Sequence, residues 1–229
     1  MTAKTYSIVE IFFTLQGEGM QCGRAAMFIR FGGCNMWSGH DKDRARDHKR
    51  NSAECILFCD TDFRASDKLT AAEILEEVGH RKRAEGIESI DLIVLTGGEP
   101  ALQVDKALLE LLKNREGADL AIETNGTVAF KEGVQKSLDW ICVSPKVGDK
   151  DIVIRNGDEL KIVYPSYNPK DYTSLAKGFR HWLVQPCANT SEVGKSELSS
   201  DHREQCVQFC KKNRGWRFSM QAHKILGLP

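Results

Sequence analysis

The chain has 229 residues, 41% hydrophobic and 28% charged, with Lys plus Arg equal to Asp plus Glu at 32 each. That composition suits a soluble globular protein with one sizeable core. The formal charge of zero excludes an overall field that would gather nucleic acid or an anionic membrane. No apolar stretch approaches the ~20 residues of a membrane span, and no apolar signal region opens the chain. A cytoplasmic protein is expected, and its eight cysteines are read as ligands and buried thiols, not as a disulfide framework.

Ser7 to Phe13 is predicted as a strand from Ile8, Val9, Ile11, Phe12 and Phe13. A glycine-punctuated run, Gln16-Gly17-Glu18-Gly19, follows, and Ala26 to Phe31 is a second strand ending at Gly32-Gly33. The segment 38–54 is densely charged with no apolar period, so an inserted loop or short solvated helix is expected there. A local basic patch is open to Lys42 through Arg50. Leu69 to Ala84 reads as an amphipathic helix, with Thr70 as its cap and Glu73 three residues later. Beyond it, strands are predicted at Asp91 to Leu95, Leu120 to Glu123, Trp140 to Val143, Glu159 to Val163, His181 to Val184 and Trp216 to Ser219. Helices are predicted at Val104 to Lys113, Asp171 to Lys177 and Ser196 to Lys212. This alternation predicts an α/β protein with a parallel sheet and crossovers. Nothing divides the chain, so one domain over 1–229 is expected. A closed eight-fold barrel typically needs ~250 residues. With the insertion discounted, the expected fold is an incomplete, open TIM-like barrel.

In such sheets ligands bind beyond the carboxyl ends of the strands. Gly32-Gly33-Cys34, Thr96-Gly97-Gly98-Glu99, Glu123-Thr124-Asn125-Gly126, Ser144-Pro145-Lys146 and Gln185-Pro186 all fall at such ends. Cys34, Cys55 and Cys59 form a trio. Three thiolates can hold three irons of a [4Fe–4S] cube and leave the fourth open to S-adenosylmethionine (SAM), whereas electron-transfer clusters generally use four protein ligands. A structural zinc site completed by His40 or His48 is the competing interpretation, and three buried thiols a third. Gly97-Gly98-Glu99 lets backbone approach a ligand closely, or is an ordinary strand-to-helix turn. Arg30 suits a carboxylate or an internal salt bridge. Cys142, Cys206 and Cys210 are assigned to the core, and Cys187 is unassigned.

Taken together, Leu15-Gln16-Gly17-Glu18-Gly19, Phe28-Ile29-Arg30, Gly33-Cys34-Asn35, Cys59-Asp60-Thr61, Thr96-Gly97-Gly98-Glu99-Pro100, Glu123-Thr124-Asn125-Gly126 and Ser144-Pro145-Lys146 resemble the 7-carboxy-7-deazaguanine synthases. These are radical-SAM enzymes of queuosine and related deazapurine pathways. The likeness runs in order from residue 7 to Ser219-Met220-Gln221-Ala222-His223-Lys224 and Pro229. The cysteine spacing departs from the usual radical-SAM pattern: residues 35–54 and then 56–58 separate the three. A subgroup of the family shares the long first gap.

The resemblance implies a radical-SAM domain with one [4Fe–4S] cluster on Cys34, Cys55 and Cys59, and Mg2+ on the Thr61 hydroxyl. It implies SAM at Gly98, Glu99, Ser144, Pro145, Lys146, Gln185, Pro186, Cys187 and Ala188. Substrate contacts are implied for Leu15, Gln16, Gly17, Arg30, Thr96 and Pro229, whose carboxylate would take the pterin's amino edge unless that end is a frayed tail. The implied reaction is radical ring contraction of 6-carboxy-5,6,7,8-tetrahydropterin to 7-carboxy-7-deazaguanine and ammonia, begun by removal of a hydrogen from substrate C6. A flavodoxin or ferredoxin as electron donor and a homodimer are implied as well. The rivals are a glycyl-radical activator, which the Leu15–Gly19 run and the cysteine spacing disfavour, and a non-catalytic zinc-binding module, which metal analysis would separate.

Overall fold

The structure is a computed structural model, and it describes residues 3–51, 59–64, 66–192, 195–197 and 199–229. Strands β1 (Thr5–Leu15) and β2 (Ala25–Phe31) pair antiparallel. Strand β3 (Asp67–Thr70) pairs antiparallel with the start of β1. From β2 onward the sheet is parallel and follows chain order through β4 (Leu92–Gly97), β5 (Asp119–Thr124), β6 (Trp140–Val143), β7 (Gly157–Tyr164) and β8 (Phe179–Pro186). A hairpin of β9 (Asn189–Glu192) and β10 (Lys195–Glu197) stands apart from this sheet. Strand β11 (Trp216–Phe218) then adds parallel to β8. The two outermost strands, β3 and β11, do not pair, so the α/β sheet is an open barrel, as the chain length predicted.

The helices are α1 (Arg44–Asn51), α2 (Ala71–Ala84), α3 (Lys106–Glu116), α4 (Val134–Ser137), α5 (Thr173–Ala176), α6 (Ser200–Lys212) and α7 (Ala222–Leu226). Strand alternation sorts residues to two faces. Ile29, Leu95, Ile122 and Ile162 face the helices and join Ile74 and Val78 of α2, Leu108 and Leu112 of α3, and Cys206 and Phe209 of α6 in the main core. The inner face is apolar low in the barrel, with Ala26, Phe28, Leu92, Val94 and Ala121 packed together. Nearer the carboxyl ends the same alternating positions become Arg30, Thr96, Glu123 and Gln185. A ligand site is therefore written into every second residue.

Thr70 caps α2 in a capping box with Glu73, the two bonds being 3.3 and 2.7 Å. Such a cap is worth ~1 kcal/mol. Leu69, expected inside that helix, lies on β3 opposite Tyr6, because the cap fixes the helix start after it. Likewise α6 begins at Ser200, not Ser196. The Ser199 side chain accepts from the His202 N–H at 3.2 Å and caps it, and Lys195–Glu197 is strand β10. Of the charged segment 38–54, residues 41–43 form a 3-10 turn and α1 follows, which is the short-helix alternative. Residues 52–54 lie outside the described residues. No helix among the described residues is long and apolar enough to cross a membrane.

Candidate active site

A cavity of about 580 Å3 opens at the carboxyl ends of the parallel strands, within the range of small-molecule sites. It brings together Leu15, Gln16 and Gly17 after β1, Arg30 on β2, Cys34, Cys59 and Thr61, and Thr96 and Gly98 from β4. Ser144 and Lys146 follow β6, Gln185, Pro186, Cys187 and Ala188 come from the end of β8, and Pro229 closes the set. Two expected residues are absent from the lining: Glu99 and Pro145 are buried behind it. Cys55 lies outside the described residues.

Glu99 stands behind the cavity lining. Its side chain is fully buried, and the carboxylate accepts from Ala101 N–H at 2.9 Å, Thr124 Oγ1 at 2.7 Å and Asn125 N–H at 2.8 Å. With both oxygens engaged, it ties the Thr96–Pro100 loop to the Glu123–Gly126 loop. Asn125 carries the lattice onward, donating to Asn35 Oδ1 at 2.9 Å, and Asn35 donates to Thr127 Oγ1 at 2.8 Å. Three separate motifs thus form one scaffold. The close approach that Gly98 permits is to backbone. A Cβ there would lie 2.0 Å from Gly33 O and 3.2 Å from Cys34 Cβ, and Glu99 N–H bonds Gly33 O at 2.9 Å. Glycine at 98 seats this loop directly against the cysteine loop.

Cys34 and Cys59 line the cavity from different loops. Burial pushes both thiols up, Cys59 to about 12, with the neighbouring Cys34 and Asp60 adding to the effect on Cys59. Such thiols are neutral at ordinary pH unless a cation binds them. The surroundings suit one. Cys34 Sγ accepts from the Met36 N–H at 3.4 Å, and the positive charge of Lys146 acts on both sulfurs. The donors are soft and the cavity beside them is open, which fits an iron–sulfur cluster with a vacant position. Neither His40 nor His48 lines the cavity, and among the described residues no three His, Cys, Asp or Glu come together as a metal site. Thr61 lines the cavity next to Asp60, whose Oδ2 accepts from Lys224 Nζ of α7 at 2.8 Å.

Arg30 makes the internal salt bridge that was one of its two expected roles. Its Nε donates to Glu10 Oε1 at 2.6 Å, and its guanidinium lies 5.5 Å from the Phe12 ring centre. The residue still lines the cavity, and no described residue pairs with its Nη groups.

No protein-family model matches the chain. Curated relatives do. The 7-carboxy-7-deazaguanine synthase of Nitratidesulfovibrio vulgaris is 42% identical, covering 98% of this chain and all of its own. That of Caulobacter vibrioides is 42% identical over the same shares. The chain belongs to the 7-carboxy-7-deazaguanine synthase family. The crystal structure of QueE from Escherichia coli superposes with a TM-score of 0.65 at 26% identity, covering 96% of this chain and 95% of that one.

Sequence reasoning missed the charged floor of this cavity. Glu18, Glu123, Lys161, Gln221 and His223 all line it. Glu123 accepts from Gln16 Nε2 at 3.0 Å and Thr96 Oγ1 at 3.3 Å. Glu18 Oε1 accepts from Gln185 Nε2 at 2.8 Å and Gln221 Nε2 at 2.9 Å. Burial would raise the Glu18 carboxyl, but the Lys161 ammonium and these donors outweigh it and hold it at about 2. A signal was present: Glu159 and Lys161 occupy alternate, inward positions of β7, whereas the inward positions low on β2, β4 and β5 are apolar. The C-terminal segment was also underestimated. Ala222 N–H bonds Gly17 O at 2.8 Å, and a Cβ on Gly17 would lie 2.2 Å from His223 Nδ1. Glycine at 17 is what lets α7 close over the Gln16–Gly19 run.

Proposed function

We propose that the chain is a radical-SAM lyase that converts 6-carboxy-5,6,7,8-tetrahydropterin to 7-carboxy-7-deazaguanine and ammonia. The observation that carries this reading is the meeting of Cys34 and Cys59 with Gln16, Arg30 and Thr96 in one cavity. The name shared by the relatives supports the same reaction. Cys34, Cys55 and Cys59 hold the cluster, and Thr61 offers Mg2+ a neutral hydroxyl ligand, with other oxygens coming from water and substrate. SAM lies along Gly98, Ser144, Lys146 and the segment Gln185, Pro186, Cys187 and Ala188, while Glu99 and Pro145 shape the backbone behind it. When bound, the cluster and SAM supply the radical chemistry of ring contraction.

The chain's own residues bind and orient. The Nη groups of Arg30 offer a two-pronged donor to the substrate carboxylate. Leu15, Gln16, Gly17 and Thr96 border the ring, and Pro229 and α7 stand at the mouth and exclude water. The same reading takes the protein as one radical-SAM domain carrying a cluster-loop insertion at 38–54. It works as a cytoplasmic homodimer supplied with electrons by a flavodoxin or ferredoxin. Anaerobic reconstitution tests it. Iron and sulfide near four each per chain, and a product with the mass of 7-carboxy-7-deazaguanine, are expected. About one zinc and no turnover would contradict it.

A further inference from the structure

The cavity floor holds a charge arrangement that the proposed chemistry does not by itself require. Lys161 sits on β7 with its side chain 5% exposed, and Nζ is 2.5 Å from Glu18 Oε2. Glu123 Oε1 lies 3.8 Å away. An ammonium so buried is costly unless anions surround it, and the two carboxylates, which are only partly exposed, supply them. Each carboxylate in turn grips residues of the site: Glu123 holds Gln16 and Thr96, and Glu18 holds Gln185 and Gln221. Lys161 is thus the common centre of two braced walls.

We propose that Lys161 is a positioning residue that pins Glu18 and Glu123, so that the wall they brace presents acceptors to the N–H donors of a reduced pterin ring. This rests on the carboxypterin reading above. An ionised carboxylate only accepts hydrogen bonds, whereas a protonated one also donates. A proton on Glu18 Oε1 would oppose the amide donors of Gln185 and Gln221. The groups facing this centre are Cys22 before β2, Glu123 from β5, Cys142 from β6, Glu159 from β7 and His223 from α7, with Asp60 and Lys224 beyond it. Burial holds His223 below the usual imidazole value, so at neutral pH it does not replace the ammonium. No other cation among the described residues is within salt-bridge distance of Glu18.

The test uses the reconstituted holoenzyme and 6-carboxytetrahydropterin. Lys161→Met should raise KM at least about tenfold, the scale of one lost charge-assisted hydrogen bond, and change kcat less. Its KM should fall as pH rises, because without the ammonium burial raises the Glu18 carboxyl against only the amide donors and His223; the wild-type KM lacks this slope. The double variant Lys161→Met/Glu18→Gln removes the unpaired carboxylate. It should keep the raised KM and lose the slope, and it carries the test if the single variant does not fold. A merely structural role lowers the folded fraction without giving KM a pH slope. Wild-type KM in either variant, or a flat profile in folded Lys161→Met, overturns the proposal. If the wild-type protein does not turn over the carboxypterin, the functional reading has failed, and this inference fails with it.

Discussion

At the scale of single residues, the side chains that do chemistry and those that hold them are separable. Cys34 and Cys59 face the cavity, so Cys34→Ala and Cys59→Ala should each abolish the cluster, read as loss of iron and of the visible iron–sulfur absorption. Glu99 faces the scaffold. Glu99→Gln keeps its shape but replaces one acceptor oxygen by an NH2 group facing donors, and should lower stability by ~1–3 kcal/mol, measured by chemical denaturation. Arg30→Lys loses the forked donor and should raise the carboxypterin KM while SAM cleavage without substrate persists. Glu18 ties pH to stability. Its folded value of about 2 lies below the ordinary 4.5, so its contribution is fully present above pH 4.5 and is lost as pH falls through about 2. Acid unfolding of the wild type should therefore steepen in that window. Glu18→Gln should flatten it, and an unchanged acid profile would remove Glu18 from the account.

At the scale of elements, the carboxyl-end loops behave as one interlocked piece. Gly98→Ala would drive a methyl into Gly33 O, and backbone cannot rotate away as a side chain can. The variant should lose cluster loading together with ~1–3 kcal/mol of stability; normal iron content would show that the two loops are not coupled. Legibility in the sequence followed the same division. The strands β2, β4, β5 and β6 were readable because buried parallel strands are short apolar runs with turn signals after them. The α2 cap was readable because a capping box is local. Strands β3 and β10 were not, since short paired segments such as Asp67–Thr70 and Lys195–Glu197 carry little periodicity and owe their form to partners distant in sequence or to a hairpin. The resemblance located sixteen of the nineteen expected site residues on the cavity lining. It did not reveal that Glu99 turns inward, nor that Lys161 crosses from β7 to Glu18. Both are side-chain contacts to partners distant in sequence, and the charges on β7 mark Lys161 as unusual without naming its partner.

At the scale of the whole molecule, function follows from topology. Parallel strands in chain order deliver their ends to one rim, and an open sheet leaves room there for a cavity of about 580 Å3. The same rim collects the cysteine loops on one side and the Gln16, Arg30, Thr96 and Glu123 wall on the other. The central claim is that cluster, SAM and pterin share this single space. Mass spectrometry of the adenosyl group after turnover of carboxypterin deuterated at C6 tests it most directly. The account predicts deuterium at the 5′ carbon of the adenosyl group, in 5′-deoxyadenosine or in SAM re-formed as the hydrogen is returned, while 7-carboxy-7-deazaguanine is produced. An adenosyl group free of deuterium while that product forms would contradict it.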